Sequence, residues 1–264
     1  MTRFITSPFA FGLLSFILLT SCAKDDSSDE NDLSKKLVVE AYVYAGLPID
    51  HVKISKIHED GNSTPLPVSA AQVKIYQDNQ EFVLTSHPEI AGRYVQSDTS
   101  FMPVDYGESK LQIIYQGRTY KAYSEMPESI SNLEVSAEYV SIIPGDDETT
   151  LATISWNPVE NVQGYCIFVK NLDQNPVPIN NANNAEASQN PFRIIHQNHT
   201  VELKSSHFSH YGEYEIYVTA VNEEYARIYE TNSPGTFSAA PSNIENGLGV
   251  FTNFNGKSET IVVQ

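Results

Sequence analysis

The sequence is short of cysteine and of basic residues, and both shortages limit what the protein can be. Its only cysteines are Cys22 and Cys166, so at most one internal disulfide can form and stability must come mainly from hydrophobic cores. Lysine and arginine together number 16 against 33 aspartates and glutamates, a formal net charge of −17. Because phosphate binding needs clustered basic side chains, the composition argues against nucleic acid as a partner.

Motifs for catalysis are also missing. The sequence contains no G-x-S-x-G nucleophile elbow, no P-loop, no H-E-x-x-H zinc motif and no dinucleotide fingerprint. Paired carboxylates for hydrolysis do not stand out by sequence in so acidic a chain. An enzyme is therefore the least favoured class, and we expect no catalytic residue and no cofactor.

Two histidine pairs and one acidic run are the candidates for metal binding. His196-x-x-His199 and His207-x-x-His210 space their side chains three apart, which on a strand places them on opposite faces. They lack a further ligand at suitable spacing, so exposed loop histidines are favoured. Asp146-Asp147-Glu148 lacks the alternating ligands and the glycine of an EF-type loop and favours a solvated hairpin tip. We predict no metal site.

One long apolar run occurs, at the start of the chain. Phe9 to Leu19 carries no charge, follows Arg3 and precedes small residues, which is the pattern of a secretory signal. It is shorter than the roughly 20 apolar residues that a membrane-spanning helix needs. Leu19-Thr20-Ser21-Cys22 resembles the lipobox of bacterial lipoproteins, which implies removal of residues 1–21 and acylation of Cys22. The alternative is an ordinary cleaved signal with an incidental cysteine.

Residues 22–36 form an acidic, serine-containing stretch. Such a segment buries too little apolar surface to offset its ordering entropy, so it is predicted to be a flexible tether. Within it, Lys24, Asp25 and Asp26 resemble the export signal that follows the lipidated cysteine in surface lipoproteins of the Bacteroidetes. That resemblance implies an outer-membrane protein facing the cell exterior. The alternative is a solvated spacer.

Residues 37–126 are predicted to form a first β-sandwich. They contain about seven short alternating segments separated by turn residues, with no segment of helical period. Ala71-x-Val73-x-Ile75, followed by Gly92-x-Tyr94, resembles transthyretin-like and carboxypeptidase-regulatory-like sandwiches. The expectation is therefore a transthyretin-like or Ig-like sandwich, and the resemblance carries no catalytic residue across.

Residues 127–240 are predicted to form a second sandwich, beginning at the break Met126-Pro127. A tryptophan ends one strand, a tyrosine opens the next, and Tyr214 to Asn222 alternates as Tyr-x-Ile-x-Val-x-Ala-Val-Asn. This resembles a fibronectin type III domain. Cys166 is expected to be a small buried residue. The predicted core residues are Trp156, Tyr165, Ile167, Tyr214, Ile216 and Val218.

Two segments are additions to a minimal fibronectin-like domain. The connection Asn171 to Asn198 is longer than the 12–15 residues or so beyond which loops are usually functional or disordered. Its apolar residues 192–195 are predicted to add an edge strand, leaving Asn175 to Gln189 exposed. Residues 241–264 are predicted to add two strands to one of the sheets, joined by a hairpin turn at Asn255-Gly256; the alternative is that they extend across the domain junction.

These features together resemble a family of Bacteroidetes surface lipoproteins often encoded beside TonB-dependent outer-membrane transporters. The residues that carry the resemblance are the lipobox, Leu37 to Tyr42, Gly117 to Tyr120, the fibronectin-like domain and Asn246-Gly247-x-Gly249-x-Phe251. The resemblance implies membrane attachment through Cys22 and a transporter as partner. The overall expectation is an all-β chain of two sandwiches with a C-terminal strand extension.

Tyrosines are the remaining clue to function. Of 15 tyrosines, Tyr211, Tyr217, Tyr225 and Tyr229 fall on outward positions or in loops and are predicted to form a partner surface. The alternative is that tyrosine simply suits half-buried strands. We expect a non-enzymatic lipoprotein that captures an unidentified ligand or assists a transporter. The alternative is a structural or adhesive surface protein that uses the fibronectin-like domain as a spacer.

Overall fold

A computed structural model describes residues 36–57, 65–143, 145, 148–160, 162–179, 192–230 and 242–264. Over these residues the chain forms seventeen strands and one α-helix, which confirms the all-β prediction. Within the described part, no helix has the length and apolar character needed to cross a bilayer. The elements, in chain order, are β1 (Leu37–Tyr44), β2 (His51–Lys56), β3 (Leu66–Pro67), β4 (Gln72–Gln77), β5 (Gln80–Ser86), β6 (Arg93–Gln96), β7 (Glu108–Tyr115), β8 (Arg118–Glu125), β9 (Ser131–Val135), β10 (Tyr139–Val140), β11 (Thr150–Asn157), β12 (Gly164–Asn171), β13 (Phe192–His196), β14 (Thr200–Lys204), β15 (Gly212–Val221), α1 (Glu223–Glu230), β16 (Leu248–Phe254) and β17 (Gly256–Val263).

The first sandwich consists of one nine-stranded sheet that folds over on itself. Its order is β16-β1-β2-β6-β5-β4-β7-β8, with β3 paired to β2. Alternate residues of each strand point inward, so Val39, Ile75 and Ile113 are fully buried in one core. The two end strands approach each other, because the Asn253 side chain on β16 donates to the Ser124 carbonyl on β8 over 2.8 Å.

The second sandwich packs two separate sheets face to face. One has the order β10-β17-β15-β12-β13 and the other β14-β11-β9. Trp156 and Tyr165 meet edge to face between the sheets, with ring centroids 5.0 Å apart. All six residues predicted for this core are at most 3% exposed, which confirms the prediction. Cys166 is also fully buried, as expected.

The predicted hairpin at Asn255-Gly256 is wrong. β16 pairs in parallel with β1 in the first sheet, whereas β17 pairs antiparallel with β15 in the second, and Asn255 alone separates the two strands. An Asn-Gly hairpin turn needs positive φ at both residues. Neither residue has a positive φ here, so the chain continues forward into the other sheet instead of turning back.

Two further segments bear on the sequence predictions. Residues 192–196 form β13, which pairs with β12 at the edge of its sheet, so the predicted edge strand is confirmed. Helix α1 was not anticipated. Its start has ordinary helix signals, since Asn222 precedes Glu223 and Glu224, and the Asn222 carbonyl accepts from Ala226 N over 3.0 Å.

The two sandwiches meet through a third apolar cluster, which we call the junction. Strands β1 and β16 contribute from the first sandwich, β12 and β15 from the second, and α1 packs beside them. The described residues, all of which fall between Leu33 and Gln264, belong to one compact unit. The buried residues of the junction are Tyr42, Cys166, Phe168, Val221, Tyr225, Ala226, Val250 and Phe254.

Candidate functional site

A cleft of about 360 Å³ opens at the junction, between the end of β8 and the start of α1. Both sandwiches contribute to its walls, so it exists only because the two are held together. The first sandwich provides Glu108, Tyr123, Ser124 and Glu125, and the other side is formed by Gln163, Val221, Asn222, Glu223 and Glu224.

Hydrogen bonds fix the floor of this cleft. The Asn222 side-chain amide donates to the Glu125 carbonyl over 2.7 Å and to Ser124 Oγ over 3.1 Å. Ser124 Oγ in turn donates to Glu224 Oε1 over 2.5 Å, and Thr252 Oγ1 donates to the same oxygen over 3.2 Å. Since these residues come from β8, from α1 and the residue just before it, and from β16, the network ties the cleft to both sandwiches.

The chemistry available in the cleft is polar and acidic. Four glutamates line it, and the Tyr123 ring is 43% exposed beside them. Ser124 is hydrogen-bonded to a carboxylate and to amide donors, with no histidine in the lining to act as its base. Among the described residues, no group of three or more His, Cys, Asp or Glu is arranged to hold a metal ion. The arrangement favours binding a donor-rich group over activating a nucleophile.

The predicted partner surface does not form as one patch. Tyr225 is 1% exposed, so its predicted exposure is wrong. Helix α1 points this ring into the junction, where it lies 4.9 Å from the Phe254 ring and 6.0 Å from the Tyr42 ring. Tyr217 is half-buried in the same region, and burial raises the pKa of its phenol. The side chain of Tyr229 lies outside the described residues.

Tyr211 lies elsewhere, at the end of the second sandwich remote from the junction. Its amide donates to the Val177 carbonyl over 2.8 Å, and Asn171 Nδ2 donates to its carbonyl over 3.1 Å. The described start of the long connection therefore lies against Tyr211, whereas residues 180–191, most of the predicted exposed loop, lie outside the described residues. Strand β10 reaches the same end, since Tyr139 pairs with Val262.

Large apolar side chains are exposed at this end, which we call the distal tip. Val177 is 62% exposed and Leu172 is 43% exposed on the long connection. On the neighbouring segment, Tyr139 is 63% and Ile143 is 68% exposed. Tyr211 and the connection were predicted from the sequence, whereas Tyr139 and Ile143 were not, because the pairing of β10 with β17 has no signal in the sequence. The distal tip comprises Tyr139, Ile143, Leu172, Val177 and Tyr211.

The expectation of exposed loop histidines holds for one of the described side chains and fails for two. His199 is exposed. His210 is 6% exposed, with its ring nitrogen 2.8 Å from Ser209 Oγ. His207 is half-buried and accepts a hydrogen bond from the Lys204 amide over 3.1 Å, and burial lowers the pKa of its imidazole. His207 ends a 3₁₀ turn at Ser205–His207, and His210 lies in an isolated β-bridge with Pro178.

Several predicted residues lie outside the described residues. These are Cys22, Lys24, Asp25 and Asp26 at the N-terminus, and two of the three residues in the acidic run at 146–148. Glu148 is described and accepts a hydrogen bond from Lys204 Nζ over 2.6 Å. The lipid anchor and the export signal therefore stay predictions.

Comparison with known proteins places the chain in a family. No curated protein matches it at a significant level. A solved structure of the FN1–FN3 domains of chicken CNTN1 shares 15% identity, with a TM-score of 0.25, over 86% of this chain and 66% of that one. At that TM-score the similarity supports no inference about this chain. A family model described as a domain of unknown function, DUF4249, matches residues 25–260. Because that match spans most of the sequence, the chain belongs to the DUF4249 family.

Proposed function

We propose that this protein is a non-enzymatic lipoprotein of the outer membrane, displayed on the cell exterior, which assists an outer-membrane transporter of the TonB-dependent kind. The lipobox at Cys22 and the acidic residues after it support the location. The observation that carries the role is the distal tip, where four large apolar side chains are exposed at the same end of the second sandwich.

The distal tip lies at the opposite end of the two sandwiches from the point where the tether enters. The chain enters the first sandwich at Leu37, which begins the strand paired in parallel with β16. From there β16 leads to the junction and β17 leads on to the tip. A tether of residues 22–36 spans at most about 50 Å at roughly 3.3–3.6 Å per residue. An anchor at Cys22 therefore holds the entry end near the membrane and leaves the tip free to meet a partner.

The composition of the tip is that of a protein contact. Single exposed hydrophobic residues are ordinary on soluble proteins. Large apolar side chains gathered at one place are less common and mark interaction sites, where aromatic residues are enriched. Tyr139, which is 63% exposed, provides the aromatic part of this surface, and the half-buried Tyr211 lies beside Val177.

The test is a pull-down of the native lipoprotein from detergent-solubilised outer membrane. The double variant Ile143→Ser, Val177→Ser should recover a co-purifying transporter about tenfold less well, since losing 1.4 kcal/mol of contact energy corresponds to that factor. The matched control is Val83→Ser, Ile90→Ser on the first sandwich, whose residues are 42% and 44% exposed. Equal recovery of the transporter by the tip variant and the control variant would show that the distal tip does not bind it. Recovery of no membrane protein by the wild type would favour the adhesive alternative.

Ligand capture is a second candidate, favoured by the cleft and its fixed floor. Native mass spectrometry of protein purified from its own membrane should show a retained small molecule. Gln163→Trp, which fills the cleft, should lose that molecule, whereas Gln80→Trp on an exposed strand position should keep it. The same retained mass in both variants would contradict capture at this cleft.

A further inference from the structure

The last segment of the chain, residues 242–264, belongs to both sandwiches at once. We call it the C-terminal strap. Its β16 covers the edge of β1 with seven consecutive register pairs, from Val38–Leu248 to Tyr44–Phe254. Its β17 then covers the edge of β15 from Gly212–Val263 to Thr219–Gly256. Each sheet therefore receives a strand from a segment that is also part of the other.

Each core includes side chains from the strap. Phe251 is fully buried in the first core. Ile261 is fully buried and Val263 is 2% exposed in the second. Removing the strap would expose apolar surface in both sandwiches and leave β1 and β15 with unpaired backbone groups, which are costly when buried.

Two glycines show how closely the strap docks. A Cβ on Gly249 would lie 1.9 Å from the Val39 carbonyl oxygen, and this glycine has φ of +105°. A Cβ on Gly256 would lie 2.2 Å from the Val218 carbonyl oxygen. Either addition forces the strap away from a neighbouring strand, one in each sandwich.

Asn255 connects the two halves of the strap and is 8% exposed. Its amide donates to Thr219 Oγ1 over 3.2 Å in the second sandwich. Its side chain donates to the Asp105 carbonyl over 3.2 Å and to the Pro127 carbonyl over 3.0 Å. The crossing point is thus held by partners from the first sandwich, the break and the second sandwich.

The strap also supports the cleft. The Asn253 amide donates to Ser124 Oγ over 3.1 Å, and Thr252 Oγ1 contacts the Glu224 carboxylate. Displacing β16 would remove both contacts from the floor of the cleft.

From these observations we propose that the C-terminal strap couples the two sandwiches into one cooperative folding unit, so that loosening it in one sandwich unfolds the other and opens the cleft. Neither sandwich reaches its native stability until the end of the chain has docked. The two sandwiches do not behave as independent domains joined by a linker.

The first test uses Gly249→Ala, whose steric conflict lies in the first sheet. Trp156 is the only tryptophan and reports on the second sandwich by fluorescence. Hydrogen exchange of the β7 amides reports on the first. Both probes should shift to the same lower urea midpoint. Gly107→Ala is the matched control, since Gly107 has φ of +80° with nothing within 4 Å of the added Cβ, and its shift should be smaller. If the β7 amides lost their protection from hydrogen exchange while the urea midpoint of Trp156 fluorescence stayed unchanged, the proposal would be overturned.

A second test needs no variant and remains available if Gly249→Ala does not fold. In native-state hydrogen exchange of the wild-type chain, the slowest amides of β7 and β12 should share one opening free energy and one urea dependence. Separate values for the two strands would show independent unfolding and overturn the proposal.

Discussion

The surroundings of Tyr225 show that burial decides whether a tyrosine packs in a core or is available for contact with a partner. Its ring makes edge-to-face contacts with Tyr42 and Phe254, and its hydroxyl lies 3.8 Å from the Cys166 sulfur. Tyr139, by contrast, is 63% exposed at the distal tip. Residue type alone does not separate a packing tyrosine from a contact tyrosine.

Tyr225→Ala should lower the free energy of unfolding by about 3–5 kcal/mol, the usual cost of truncating a buried aromatic. The loss follows from the cavity it leaves at the junction. Tyr139→Ala should change stability by no more than about 0.5 kcal/mol, as surface substitutions do. Urea denaturation followed by circular dichroism measures both. Similar midpoints for the two variants would mean that α1 does not pack as described.

Asp50 provides a prediction about pH. The hydrogen bond to the His51 side chain lowers the pKa of the Asp50 carboxyl, partial burial acts against this, and the Arg93 guanidinium also lowers it. Because the pKa is depressed in the folded state, the stabilisation is present above the unfolded value of about 3.9 and is lost as pH falls through the folded pKa.

Asp50→Asn should therefore be less stable than wild type near pH 7, by roughly 0.2–1 kcal/mol for so exposed a pair. The difference should shrink as the pH falls below about 4 and through the lower folded pKa, where the Asp50 carboxyl becomes protonated in both the folded and the unfolded protein. Urea denaturation at a series of pH values measures it, with Glu138→Gln at an exposed position as control. A difference that stays constant or grows toward acid would contradict the assignment.

At the scale of elements, turn chemistry explains some strand connections better than others. The β4–β5 turn places Asp78 and Asn79 at φ of +44° and +62°, which these residues tolerate. The β7–β8 turn requires the same geometry of Gln116 and Gly117, at +49° and +76°. Gly117 adopts a positive φ readily, whereas glutamine is an unfavourable residue for the positive φ at position 116.

Gln116→Asn should stabilise the protein by about 0.5 kcal/mol, because Asn adopts the left-handed region more readily. Gln116→Val should destabilise it by about 1–2 kcal/mol, since a β-branched residue resists that region. The side chain of Gln116 is exposed, so packing should not obscure the comparison. Urea midpoints in the reverse order would mean that the turn adopts another geometry.

At the scale of the whole molecule, the two ends of the chain have different roles. The N-terminal segment is predicted to attach the protein to the membrane. The C-terminal strap closes the edges of both sheets at β1 and β15. The cleft and the distal tip both depend on the C-terminal strap. For the tip, β17 of the strap forms the pairing that brings Tyr139 there.

If Cys22 carries the proposed acyl chains, Cys22→Ala should move the protein from the membrane fraction to the soluble fraction, because those chains would supply about 0.8 kcal/mol of membrane binding per buried CH₂. Cys166→Ala is the control, since Cys166 is buried in the junction and should not affect fractionation. Cell fractionation after a salt wash measures both. If Cys22→Ala stays with the membrane, the lipoprotein assignment fails.

The sequence by itself was enough for the fold class and much of the second core. Alternation along a strand fixes which side chains are buried, so Trp156, Tyr165 and Ile216 were placed correctly. The same pattern identified β13 as an added edge strand. These properties are local, because they depend on residues two apart in one segment.

Only the tertiary structure decided which strands pair and which surfaces form. Alternation does not say which neighbour accepts a strand's hydrogen bonds, so β16 and β17 looked like a hairpin although each had a better partner in a different sheet. The same limit applies to Tyr225, whose helix face is set by the junction, and to the cleft. The walls of the cleft come from segments around Glu108, Ser124, Gln163 and Asn222, which are far apart in the sequence and are brought together by contacts between the two sandwiches, including those of the strap.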